Sequence, residues 1–138
     1  MTTHPATSGA PAHRVAARYR DASPVDGRGQ AMCTILTHLL ETLDQAAVAD
    51  REQRFEDEWE AVKIAVDIIQ SLDDNLDMEA GAGVARSLRG SYRSAIRALH
   101  ALVRVREGAE GYLRVRAGFV ALREAWASVL ASGQGVAR

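Results

Sequence analysis

The side chains that could carry chemistry in this 138-residue chain are one cysteine, four histidines and a cluster of carboxylates. Cys33 and His38 lie five residues apart. On a helix they would not share a face, so a joint metal or nucleophilic site is not expected. We interpret Cys33 as a small buried or half-buried group. His38 and His100 are single histidines, and we interpret each as a solvated or core-edge residue rather than a catalyst.

A short acidic run is the other candidate for chemistry, and it consists of Glu56, Asp57, Glu58 and Glu60. A di-iron site in a helical bundle needs a Glu-x-x-His motif on each of two helices and a glutamate from each of two more. Neither internal histidine follows a glutamate by three residues. We therefore interpret the run as a solvated face near a helix N-terminus, where the macrodipole favours acids. We predict no catalytic residue, no metal and no cofactor, and a protein that is not an enzyme.

Charge is divided between the two halves of the chain, although the net charge is only −1. Residues 41–80 carry 13 acids and 3 bases, whereas residues 81–138 carry 10 bases and 3 acids. One interpretation of the basic half is nucleic-acid binding. The interpretation we favour is structural: an acidic pair of helices lies beside a basic pair and favours one packing order. Exposed pairs would contribute only about 0–1 kcal/mol each.

Composition favours one all-helical domain. Apolar residues make up 47% of the chain, and proline occurs only at positions 5, 11 and 24. A single cysteine excludes an internal disulfide. No apolar run approaches the roughly 20 residues that span a bilayer, and the N-terminus has no secretory apolar region. We expect a cytoplasmic protein that does not insert into membranes.

Apolar residues recur every three or four positions in four segments, at about residues 30–49, 51–76, 83–106 and 112–131. This spacing predicts four helices, and the short corners between them predict an antiparallel up-down four-helix bundle. We expect a disordered tail over residues 1–20, the bundle over 21–131 and a flexible tail over 132–138. Gly118 lies within the fourth predicted helix, where glycine lowers helix stability by about 1 kcal/mol relative to alanine. A close approach of another helix would explain it.

The second predicted helix carries two neighbouring apolar rows. The first row is Phe55, Trp59, Val62, Val66 and Ile69, and the second is Ala61, Ile64, Ala65, Ile68, Leu72 and Leu76. A helix with one buried face needs only one such row. Either this helix is buried on two sides within its own bundle, or its second row contacts another molecule.

Three stretches in order resemble the flagellar secretion chaperone FliS family, over roughly residues 30 to 130. They are Ala65-Val66-Asp67-Ile68-Ile69 with Leu72; Leu76-Asp77-Met78-Glu79 followed by Gly81, Val84-Ala85, Leu88 and Tyr92; and Leu122-Arg123-Glu124 with Trp126. Upstream, Tyr19 and Ser23-Pro24 are similar to the family's tyrosine and helix-opening Ser-Pro. Where the family tends to have Leu-Tyr-x-Tyr, this chain has Ser91-Tyr92-Arg93-Ser94.

The resemblance implies a cytoplasmic flagellin-specific export chaperone. Such a protein binds the disordered C-terminal segment of flagellin, prevents premature polymerisation and supports flagellar type III export. Components of the export apparatus are further implied partners. We expect an apolar segment of flagellin to bind by burying its side chains on exposed apolar rows of the bundle. The candidate partner-binding residues lie on the second helix and the start of the third: Ile64, Ile68, Leu72, Leu88, Tyr92 and Ile96. For each of them the alternative is ordinary core.

Two further hypotheses stay open. Residues around Tyr19 could occupy the empty binding surface until flagellin displaces them. The alternative function is a small helical bundle that binds nucleic acid through its arginines or takes part in another protein interaction. A steep salt dependence of binding would distinguish the nucleic-acid case.

Overall fold

The computed structural model describes residues 27–79 and 82–137, and the side chains within 29–79 and 83–132. These residues form four α-helices and no strand, so the predicted all-α bundle is confirmed. The helices are α1 (Gly27–Arg51), α2 (Phe55–Asp74), α3 (Ala82–Leu102) and α4 (Ala109–Ala137). The predicted N-terminal tail, Tyr19 and the Ser23-Pro24 cap lie outside the described residues.

The corner between α1 and α2 comes later than the sequence suggested. Gln53 has a left-handed backbone with φ of 58°. The N–H of Arg54 bonds the carbonyl of Ala49 at 2.8 Å, and the N–H of Gln53 bonds that of Asp50 at 3.1 Å. These two bonds form a Schellman-type helix end, which usually has glycine at the left-handed position. A glutamine there gave no sequence signal, so we placed the corner too early, at Asp50 and Arg51.

The corner between α3 and α4 also differs from the prediction. α3 ends at Leu102 rather than near Arg106, and residues 103–108 turn the chain, with Glu107 at φ 59°. α4 begins at Ala109 and continues to Ala137, beyond the predicted end at Ala131. Gly111 therefore lies inside α4, where a Cβ atom would collide with the side chain of Leu102.

The helices are arranged around the core in chain order, but the four contacts between them are unequal. α1 packs extensively on both α2 and α4, and α2 packs on α3. The contact between α3 and α4 is the thinnest. The largest fully buried aliphatic side chains cluster on α1, namely Leu36, Leu39, Leu40 and Leu43. The bundle is thus closed around α1 and open between α3 and α4.

Ion pairs join the acidic half of the chain to the basic half. Asp73, at the end of α2, is 1% exposed and accepts from Arg89 Nε at 3.0 Å and from Arg93 Nε at 3.4 Å. Asp44 on α1 pairs with Arg116 Nε of α4 at 2.9 Å. The interpretation that complementary charges favour one packing order is supported by these pairs.

One of the acids that we assigned to a solvated face is buried. Glu56, Asp57 and Glu60 are exposed, as expected. Glu58 is 3% exposed, and the Tyr112 hydroxyl donates a hydrogen bond to its Oε2. That part of the prediction was wrong because α2 turns Glu58 toward the core, where a polar partner from α4 satisfies it.

This polar cluster also holds the start of α4. Buried Asp50 accepts a hydrogen bond from the Ala109 N–H at 3.0 Å, so it caps α4 from the end of α1. Burial raises the pKa of Glu58, the nearby charge of Asp50 raises it further, and the hydrogen bond from Tyr112 opposes the change. Burial and the neighbouring carboxylates raise the pKa of the Tyr112 hydroxyl strongly.

Within the described residues, no helix combines the length and the apolar character that crossing a bilayer requires.

Candidate functional site

An open cavity of about 1000 Å³ lies between α3 and α4, and we call it the α3–α4 groove. Its walls are largely apolar. They are formed by Ser87, Leu88, Gly90, Ser91, Tyr92, Ser94, Ala95, Ala98, Ala101 and Leu102 of α3, by Val105 of the following corner, and by Gly111, Arg114, Val115, Gly118, Phe119 and Leu122 of α4. A surface of this kind can hold an apolar segment of another molecule.

Two stacked rings connect the walls of the α3–α4 groove. Tyr92 of α3 and Phe119 of α4 have ring centroids 6.1 Å apart and planes inclined by 7°. Both side chains are buried, at 4% and 6% exposure. The groove therefore has a rigid aromatic base that belongs to the core.

The α3–α4 groove is open because its walls carry small side chains. Around Tyr92, α3 lines the groove with the small residues Gly90, Ser91 and Ser94. A Cβ atom added to Gly90 or Gly118 would meet nothing within 4 Å. A close helix approach, the explanation that we considered for Gly118, therefore does not account for it. Gly118 faces the groove, where no other helix of the described residues fills the space.

A close helix approach does occur at another glycine. A Cβ atom on Gly29 of α1 would come within 2.5 Å of Leu130 Cδ2 of α4. The two glycines thus have different roles. Gly29 lets α1 and α4 approach each other, whereas Gly118 leaves room in the α3–α4 groove.

The six predicted binding residues do not share one surface. Leu88 and Tyr92 line the α3–α4 groove. Ile64 is 42% exposed and lines a smaller hollow of about 470 Å³ between α1 and α2, together with Val48 and Ala61. The remaining three belong to the packed interior or pack against it: Ile68, Leu72 and Ile96.

The α4 wall of the groove was missed by the sequence interpretation. Gly111, Arg114, Val115, Gly118 and Leu122 recur at steps of one to four, so they share one face of a helix. The available signal was Gly118 inside an otherwise apolar stripe. We considered packing against another helix as its explanation, although Gly118 faces the open groove.

Arginines border the groove on both sides. Arg114 lines it from α4. On α3, Arg97 lies three residues after Ser94 and four before Ala101, both of which line the groove, so it stands in the same helical row. Arg104 lies in the corner that follows α3, one residue before Val105, which lines the groove. All three arginines are exposed.

The remaining chemical groups considered in the described part of the chain are not arranged as a reactive centre. Cys33 is half-buried, as expected, and burial raises the pKa of its thiol, while the charge of Arg123 partly opposes this. A raised pKa leaves less of the nucleophilic thiolate at neutral pH. Among the described residues, no group of three or more His, Cys, Asp or Glu side chains could hold a metal ion.

Together the fold and the groove define a class: a helical bundle that can bind an extended or helical segment of another protein. The family model described as "Flagellar protein FliS" matches residues 12–133. The chain therefore belongs to the FliS family, which is a family of flagellar export chaperones. No individual curated protein and no solved structure matched the chain.

Proposed function

We propose that this protein binds the disordered C-terminal segment of flagellin in the α3–α4 groove. Bound flagellin could not polymerise prematurely and would be available for flagellar type III export. The observation that carries the proposal is an open, largely apolar groove of about 1000 Å³ in a member of the FliS family. We further propose that the protein works in the cytoplasm and passes its client to the export apparatus.

The free energy gained by burying apolar side chains can drive a disordered client into such a groove. Each large apolar side chain of the client that becomes fully buried would contribute about 1.5–3 kcal/mol. Ordering a disordered segment costs about 2–5 kcal/mol or more of that gain. Association costs about a further 4–15 kcal/mol in lost translational and rotational freedom, so micromolar affinity, which corresponds to about 8 kcal/mol, requires burial of about five or more such side chains.

Within the groove, we propose that Leu88 and Tyr92 contact the client directly. Leu88 is only partly buried, so its outer surface is available, and Tyr92 forms part of the aromatic base. Ile64 would make a separate contact if the client continued over the α1–α2 hollow. Ile68, Leu72 and Ile96 would act by holding α2 and α3 in place, since they pack on or in the core.

The experiment is calorimetric titration of the purified full chain with a peptide of about forty residues. The peptide has the sequence of the C-terminus of the flagellin encoded by the same genome. We expect saturable, roughly one-to-one binding with a negative heat-capacity change, as burial of apolar surface requires. If the folded protein does not bind the peptide, the proposal is wrong.

A pair of tryptophan variants locates the site. Ala98→Trp would place an indole in the α3–α4 groove, whereas Ala117→Trp would place one on an exposed part of α4 outside it. We expect the first to weaken binding at least about tenfold, a loss of about 1.4 kcal/mol, and the second to leave it unchanged. Circular dichroism and thermal melting establish that both variants fold. Equal binding by the two folded variants would place the flagellin site elsewhere.

A further inference from the structure

Two groups of arginines on α3, on α4 and in the corner between these helices differ in their partners. Arg89 and Arg93 pair with Asp73, and Arg116 pairs with Asp44, so these three hold helices together. The second group borders the α3–α4 groove and consists of Arg97, Arg104 and Arg114. Within the described residues, none of this second group has an ion pair or a hydrogen-bonded side-chain partner.

The positions of these three arginines give the groove a positive border on both long sides. Arg97 and Arg104 stand on the α3 side, and Arg114 stands on the α4 side, four residues before Gly118. Among the described residues that line the groove, none is acidic. A cleft lined by one sign of charge raises the local concentration of oppositely charged ligands and speeds their association.

We infer that the α3–α4 groove selects a client segment that carries acidic side chains on both flanks of its apolar ones. Arg97 and Arg104 receive the acids on one flank, and Arg114 receives those on the other. The apolar side chains enter the groove between them. This inference rests on the proposed function and specifies the chemistry of the flagellin segment that the groove accepts.

The positions of the arginines indicate where the acids of the client should lie. Arg97 lies on α3 itself, whereas Arg104 lies in the corner that follows the helix end at Leu102. We therefore expect the acids on this flank of the client to face the C-terminal half of α3 and the corner after it. From Ser87 to Leu102, the helical part of the α3 wall extends about 22 Å. A client helix of about 15 residues would match this length.

Because small residues form much of the groove walls, the client can come close enough for these contacts. Gly90 and Gly118 each lie in a helix, where glycine is less favourable than alanine. Neither is required by a neighbouring helix, because a Cβ atom would meet nothing within 4 Å. With no side chain at these positions, the backbone of a bound segment can approach both walls while its acids reach the border.

The test compares the flagellin C-terminal peptide with a neutralised version in which every Asp is replaced by Asn and every Glu by Gln. We expect the neutralised peptide to bind the wild-type chain about tenfold more weakly at low salt, because it lacks the negative charges that the arginines attract. We expect the difference to shrink at 0.5 M salt, because ions screen exposed charges.

Charge-reversal variants of the protein test which arginines contact the acidic side chains of the peptide. Arg97→Glu, Arg104→Glu and Arg114→Glu are each expected to weaken binding of the native peptide and to leave binding of the neutralised peptide unchanged. Arg51→Glu is the matched control, because Arg51 is exposed at the end of α1, away from the groove. We expect it to bind both peptides as the wild type does.

The possible outcomes separate this inference from the function on which it rests. If both peptides bind equally well, flagellin binding stands and charge selection is wrong. If neither binds, the proposed function fails, and the same variants are titrated with a single-stranded oligonucleotide. Oligonucleotide binding that falls steeply with salt and is lost in the reversals would assign the arginines to phosphate groups and overturn the inference.

Discussion

Both sides of this bundle are built from helices with the same apolar periodicity, but one side is closed and the other is open. On the closed side, α1 presents a row of leucines, including Leu36, Leu39 and Leu43, that are fully buried between α2 and α4. On the open side, α3 presents glycine, serine and alanine toward α4, and the α3–α4 groove remains between them. Side-chain size, rather than hydrophobic pattern, decides which helix pair closes.

This difference separates the residues that stabilise the fold from those that form the candidate site. Large side chains around α1 fill the core at high density, so removing any of them leaves a cavity. Small side chains on α3 and α4 leave space that contributes nothing to folding. Substitutions on the two sides should therefore affect stability and binding in different proportions.

The largest expected effect is on the closed side. Leu43→Ala removes a fully buried side chain and should lower the free energy of unfolding by about 2–5 kcal/mol, because the surroundings can relax only in part. Leu88→Ala, on a partly buried groove residue, should cost less stability and should weaken flagellin binding. Urea denaturation and calorimetry measure both quantities. The comparison fails if Leu88→Ala destabilises the fold as much as Leu43→Ala does.

The next effect concerns the ion pairs that attach α3 to α2. Arg89→Ala leaves the buried Asp73 carboxylate without its nearer partner and should cost about 2 kcal/mol. Arg93→Ala should cost less than about 1 kcal/mol, because Arg93 is 58% exposed and its contact with Asp73 is 3.4 Å long. Chemical denaturation of both variants tests the order. Equal losses in the free energy of unfolding would mean that Asp73 depends no more on Arg89 than on Arg93.

A smaller effect distinguishes the two kinds of glycine. Gly118→Ala should raise the free energy of unfolding by up to about 1 kcal/mol, since alanine favours the helix and its Cβ meets nothing. Gly29→Ala should lower stability or leave it unchanged, because the new Cβ would collide with Leu130. Thermal melting compares the pair. If Gly118→Ala destabilised the protein, the groove would be narrower in solution than in this structure.

The smallest effect is a pH dependence that arises from the buried Glu58. The pKa of this carboxyl is raised in the folded state from its ordinary value of 4.5, mainly by burial. Above that value the folded protein holds the proton more tightly than the unfolded chain, so its stability falls as the pH rises through the folded-state pKa. Below 4.5 both states are protonated, and this penalty is absent.

Glu58→Gln provides the comparison for this pH dependence, because glutamine cannot ionise. We expect the stability of the wild type relative to the variant to decrease as the pH rises above about 4.5 and to level off above the folded-state pKa. Urea denaturation at several pH values measures it. A difference between the two proteins that does not change with pH would show that Glu58 titrates normally.

The class of fold was predictable from the sequence because helical periodicity is a local property. The segments around Leu36–Leu43 and Phe119–Leu130 carry apolar residues at steps of three and four, and each became a helix. Helix ends were less predictable. Gln53 takes a left-handed conformation without being glycine, and nothing in the local sequence marks it.

The candidate site was predictable only in part, since it depends on which helices fail to meet. Leu88 and Tyr92 were identified from the resemblance, and both line the groove. Ile64 and Leu72 share a helix row with each other, but the bundle exposes one and buries the other. Glu58 was misjudged for a related reason: its partner, Tyr112, is 54 residues away in the chain.

The central claim is that the α3–α4 side is the open, client-binding side and the α1 side is the closed one. Hydrogen exchange of the full chain with and without the flagellin peptide tests it most directly. In the free protein, the amides of α1 should exchange more slowly than those of α3. Adding the peptide should slow exchange chiefly within residues 87–105 and 111–122. The account is contradicted if α3 is as protected as α1 in the free protein, or if the peptide protects the α1–α2 face around Ile64 instead.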